Sequence, residues 1–118
     1  MIKFGQMLLT FTFLLAGHFI GDFAFQSSWM AEHKGKVWDV LIMHVATYTS
    51  AVFLMIVLMF VATNASLQTE LVFKSIAWVF FSHLVVDAIA IVFGKKPSLT
   101  VDQLIHFVIL IPAALILS

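Results

Sequence analysis

Residues 4–25 read FGQMLLTFTFLLAGHFIGDFAF, an apolar run interrupted only by small or weakly polar residues and by His18 and Asp22. About 20 such residues carry a helix across the hydrocarbon of a bilayer, so this stretch is long enough to span. A secretory signal has an apolar core of about 7–15 residues followed by a small-residue cleavage site. This run instead enters the polar stretch Gln26-Ser27-Ser28 and the indole of Trp29, so we expect it to be retained as a first span.

Working outward, the same reading applies to residues 38–62, 71–93 and 101–117, the last of which contains Pro112 and is open to a kink there. The connections AEHKGK (31–36), TNASLQT (63–69) and GKKPS (94–98) are short, and Gly94 and Pro97 disfavour continued helix. The expected fold is therefore all-α, a single polytopic domain over residues 1–118 built as a bundle of four transmembrane helices. Composition agrees: 63% of the 118 residues are hydrophobic and 10% charged, where a soluble domain carries about 25% charge. No cysteine is present, which excludes thiolate ligands, disulfides and Cys nucleophiles. Six Lys against six acidic residues give zero formal charge, so no nucleic-acid partner is expected.

The first and third connections share one side and carry Lys34, Lys36, Lys95 and Lys96. The positive-inside tendency makes that side cytoplasmic, with both termini outside, in a multi-pass protein of the cell inner membrane. These lysines are expected to meet anionic headgroups, while His33 in the first connection is expected to be solvated. Trp29 and Trp38 are expected as interface anchors. Gly17 and Gly21 form a GxxxG, read here as a close-packing face.

Ionisable residues within the spans are few and regularly spaced. His18 and Asp22 are four apart, His83 and Asp87 are four apart, and Asp102 and His106 repeat the interval in reverse order. Four helical residues advance 400°, so each pair presents two ligand types from one face. His44 comes from the second span, with Tyr48 one turn on. At about 1.5 Å per residue, all seven groups lie within roughly 15 Å of the span ends on the Lys-bearing side. Carboxylates in a bilayer are costly and are usually paired and turned inward.

One divalent ion, or two, would give His18, Asp22, His44, His83, Asp87, Asp102 and His106 a common partner; zinc, manganese and iron all suit imidazole and carboxylate ligands. Three other uses fit the same residue types: Asp–His bonds that only join helices, a haem with two axial His, and a proton or ion relay. If the protein is an enzyme, the ion would activate water for hydrolysis of a lipid or headgroup ester, with Asp22, Asp87 or Asp102 as general base and Gln26 or Tyr48 orienting substrate. The rival function is a metal-ion or proton transporter or channel component, which four spans would build as a homo-oligomer. A structural accessory subunit is the third reading.

At His18-x3-Asp22-Phe23-x2-Gln26, Lys34-Gly35, His44, His83-x3-Asp87 and Asp102-Gln103-x2-His106, the sequence resembles a family of small bacterial and phage membrane proteins catalogued as domain of unknown function 3307. More distantly, the arrangement looks like the LexA-regulated, membrane-bound proteins described as metal-dependent hydrolases. That second resemblance implies metal-assisted hydrolysis.

Overall fold

The computed structural model describes residues 3–118. Helix α1 (Phe4–Phe19) passes without a break into a π-helical turn (Ile20–Ala24), and a short helix α2 (Ser28–His33) follows. Three long helices complete the chain: α3 (Trp38–Ala62), α4 (Thr69–Phe93) and α5 (Leu99–Leu117). Among the described residues there is no strand, and four helical stretches are long and apolar enough to cross a membrane. The chain is therefore a multi-pass membrane protein by helix length and composition. Its longest dimension is 43 Å, close to the thickness of a bilayer with its headgroups, about 40–45 Å.

The four long helices form a closed ring in which α1 packs on α3, α3 on α4, α4 on α5 and α5 back on α1. Short connections force neighbours to be antiparallel, giving an up-and-down bundle. Gly17 and Gly21 set the closest approach. A Cβ at Gly17 would stand 2.8 Å from Val52 Cα, and one at Gly21 would stand 2.8 Å from Tyr48 Cα. The GxxxG thus brings α1 and its π turn against the backbone of α3, as the packing reading expected.

Several hydroxyls within the spans are satisfied locally. The hydroxyls of Thr10, Thr12, Thr47 and Ser50 each donate to the carbonyl four residues earlier, as a solvent without hydrogen-bonding capacity demands. Helix α5 runs through Pro112 as one element, and the Trp78 indole donates to the Ile109 carbonyl at 2.6 Å, one turn before the proline. Ser27 caps α2 and Ser98 caps α5 through their hydroxyls, and Gly94 ends α4 in the left-handed conformation (φ 67°). Helix α2 is an element the sequence does not signal as an apolar pattern: it begins in the polar stretch Gln26-Ser27-Ser28 and includes Trp29.

The two halves of the bundle interior differ. One half is packed by Leu14, Val52, Ile56, Val72, Val79, Leu110, Ala113, Ala114 and Leu117. The other holds His18, Asp22, His44, His83 and His106, all buried, with Tyr48 between the two regions. Outward faces carry Phe73, Phe81, Val85 and Val108, each more than 60% exposed, a surface suited to lipid chains and not to water.

Candidate metal centre

Four elements deliver the polar cluster. Asp22 comes from the π turn, His44 from the second turn of α3, His83 and Asp87 from successive turns of α4, and Asp102 and His106 from the start of α5. The ring topology aims all of them at the bundle axis near one end.

Two imidazole nitrogens and two carboxylate oxygens converge. His44 Nε2 lies 3.0 Å from His83 Nε2, 3.2 Å from Asp22 Oδ1 and 3.3 Å from Asp87 Oδ2. His83 Nε2 lies 3.1 Å from Asp87 Oδ2 and 3.9 Å from Asp22 Oδ1. A tetrahedral ion about 2.0–2.1 Å from nitrogen and oxygen ligands sets those atoms about 3.3 Å apart. The measured separations, 3.0–3.9 Å, bracket that value. The residues present therefore fit a divalent cation without rearrangement of the helices. Carboxylates only accept hydrogen bonds, so Asp22 and Asp87 need donors or a cation opposite them.

A second group shares a member with the first: Asp22, Asp102 and His106 each offer an atom within 4.8 Å of the others. Asp87 reaches towards it as well, since its Oδ1 lies 3.3 Å from His106 Nε2 while its Oδ2 faces His44 and His83. His106 Nδ1 donates to the Asp102 backbone carbonyl at 2.6 Å. That bond places the proton of the neutral ring on Nδ1 and leaves Nε2 as a free acceptor or ligand. His44 Nδ1 and His83 Nδ1 have no hydrogen-bond partner. The His83 ring is oriented by packing instead, stacked on Tyr48 at 3.7 Å between centroids and 15° between planes.

His18 lies outside both groups. Its Nδ1 is 2.8 Å from the Tyr48 hydroxyl and its Nε2 is 2.8 Å from Gln103 Oε1. With Gln103 Oε1 accepting, the neutral ring carries its proton on Nε2 and accepts from Tyr48. Gln103 Nε2 then donates to Asp22 Oδ2 at 3.4 Å and Asp102 Oδ2 at 3.2 Å. A continuous chain of donors thus runs from Tyr48 through His18 and Gln103 to two carboxylates. Asp22 sits in the π turn that follows His18, marked by Phe25 N donating to the Ile20 carbonyl at 2.8 Å, and the Gln103 amide bridges the two side chains.

Tyr48, expected against substrate, is 1% exposed and committed to His18 and His83. Gln26 does line a cavity of about 270 Å³ beside the cluster, together with Asp22, Lys34, Asp87, Asp102 and Gln103. Its Oε1 is buried without a partner.

Lys34 corrects the expectation that the connecting lysines all meet headgroups. It turns inward, its Nζ 3.5 Å from Asp22 Oδ1, 3.9 Å from Asp87 Oδ2 and 3.4 Å from His44 Nε2. Helix α2 explains this, because it folds the chain back over the bundle end and packs on α3. Gln103 and Lys34 are the site residues that residue-type reasoning did not assign. Gln103 could have been noticed as an amide between Asp102 and His106, one turn from the capped start of α5. His33, by contrast, is the last residue of α2, away from the cluster and stacked on Trp29 at 4.6 Å.

No curated protein and no solved structure matches the chain. The family described as Protein of unknown function (DUF3307) matches residues 9–118, and the chain belongs to that family.

Proposed function

We propose that this protein is an intramembrane metal-dependent hydrolase that acts on an ester or phosphoester of a membrane lipid. The observation that carries the reading is the convergence of ligand atoms from Asp22, His44, His83 and Asp87, all within 4.8 Å of one another, at the edge of a cavity. Asp22 and Asp87 line the cavity and the two imidazoles stand behind them. Manganese or iron, which accept more than four ligands, would keep positions open towards the cavity. Such an ion supplies Lewis acidity and a lowered pKa for water.

The chain's own residues do the rest. Asp102 is partly exposed, lines the cavity and is held by Gln103, which suits it to accept the proton of the attacking water. Gln26 offers an amide to the substrate. Phe23 and Leu99, both on the cavity wall and largely exposed, offer apolar surface to a lipid chain. Transport through a single bundle is disfavoured by the apolar cluster that fills its other half. The Lys-bearing end, next to the site, is assigned to the cytoplasmic side on charge grounds.

Elemental analysis and a lipid-turnover assay in detergent test this together. The expected result is one to two ions per chain, with headgroup release that needs no sealed vesicle. An ion content below about a tenth per chain, unrestored by added manganese, zinc or iron, overturns the metal centre. Ion flux in vesicles without lipid turnover overturns hydrolysis.

A further inference from the structure

Lys34 occupies the place where a cation is wanted. Its ammonium stands against Asp22 Oδ1, Asp87 Oδ2 and His44 Nε2, three of the atoms that would bind the ion. An ion bound there would compete with the ammonium for those oxygens, because like charges a few ångströms apart repel strongly where water is scarce. The cavity offers somewhere for Lys34 to go. Lys96 stands on its wall, with Nζ 3.4 Å from the Ala31 carbonyl, and folds across Gly35, where a Cβ would meet Lys96 Cε at 2.6 Å. Gly35 thus brings the lysine of the third connection beside the lysine of the first.

We propose that Lys34 is a tethered counter-ion that the metal displaces, and that the displaced Lys34 and Lys96 form the anion-binding wall of the cavity, which takes a phosphate ester. This rests on the metal centre proposed above and adds the substrate class and a coupling. Without the ion, three carboxylates (Asp22, Asp87, Asp102) face two ammoniums (Lys34, Lys96) around the cavity, and an anion is repelled. With a divalent ion the balance turns positive and Lys34 is free to pair with the incoming phosphate. Ammonium groups serve phosphate as compact charges with three donors. Gln26, also on this wall, can offer the NH₂ of its amide as a further donor.

The volume fits the same class. A cavity of about 270 Å³ lies at the lower end of small-molecule sites, about 300–1,000 Å³, a size suited to a headgroup. Acyl chains would lie outside along Phe23 and Leu99, 47% and 68% exposed.

Calorimetry on the full chain in detergent tests the coupling, with Mn²⁺ alone, inorganic phosphate alone, each in the presence of the other, and dioctanoyl phosphatidic acid in place of phosphate. Phosphate should bind the wild type only when Mn²⁺ is present, and should tighten Mn²⁺ by the same factor, on the order of 5–150-fold, since coupling is reciprocal. Lys34→Met should bind Mn²⁺ more tightly and lose phosphate, Lys96→Met should lose phosphate alone, and Lys74→Met, at an exposed pair with Glu70, should change neither. Tighter binding of phosphatidic acid than of phosphate names the lipid headgroup as the source of the anion; equal binding names free phosphate, and both support the phosphate site. Absence of binding by Mn²⁺, and by zinc and iron in its place, overturns this proposal together with the metal centre. Mn²⁺ binding that phosphate does not alter, or that Lys34→Met weakens, overturns this proposal and leaves the metal centre standing. The wild-type coupling needs no variant to fold.

Discussion

The Tyr48 ring lies flat on the His83 imidazole, 3.7 Å between centroids, while its hydroxyl reaches His18 at 2.8 Å. One side chain therefore orients a candidate ligand with its face and starts a hydrogen-bonded chain with its edge. The two roles separate by substitution. Tyr48→Phe keeps the stack and removes the donor to His18, at a cost of about 1 kcal/mol, read as a small fall in the melting temperature of the detergent-solubilised protein. Tyr48→Leu removes both, and metal affinity should fall by about tenfold or more, as for other groups that hold a ligand in place.

Asp87 meets His44 and His83 through one oxygen and His106 through the other. Asp87→Asn should reduce bound metal by at least about 100-fold in affinity, because it loses a ligand and the charge that balances the ion. Asp102→Asn should retain the ion to within several-fold and abolish turnover, since its assigned role is to take a proton. Equal loss of metal in both variants would show that Asp102 is a ligand and not a base.

Metal retention should fall as the solution is acidified. Binding requires neutral imidazole at His44 and His83 and ionised carboxylate at Asp22 and Asp87, so protons compete with the ion and affinity declines with falling pH. Proton release on metal binding, measured by titrating in buffers of different ionisation enthalpy, is the expected signature. Stabilisation by the ion, seen as a rise in melting temperature on loading, should disappear over the same range and on adding a chelator.

Gly21 carries no room for a side chain, its Cβ position standing 2.8 Å from Tyr48 Cα. Gly21→Ala must push the π turn away from α3, costing about 1–3 kcal/mol and shifting Asp22 off the cluster. Melting temperature and metal content should drop together. Gly5→Ala, with nothing within 4 Å of the added carbon, should leave both unchanged.

The spans were legible because bilayer thickness imposes one length on every crossing helix. Trp38–Ala62 matched the expected boundaries, and α4 and α5 began at Thr69 and Leu99, two residues before theirs. Convergence of His44, His83, Asp87 and Asp22 was also legible, since antiparallel neighbours bring equal depths together. Two features lay beyond periodicity. The π turn that carries Asp22 departs from the 3.6-residue pitch by which periodicity is read, and the inward turn of Lys34 depends on α2, a helix too short and too polar to register as an apolar pattern.

Because that pitch changes at Ile20, α1 is a shaft with two angular phases. The part up to Phe19 is keyed to Tyr48, Gln103 and the apolar interior, and the part after it is keyed to the cluster. Removing one residue between Ile20 and Ala24 would barely shorten the helix; it would rotate Asp22 out of phase while leaving His18 where it is. Length variation at this point would therefore tune the candidate centre by torsion, with no change in any of its ligands.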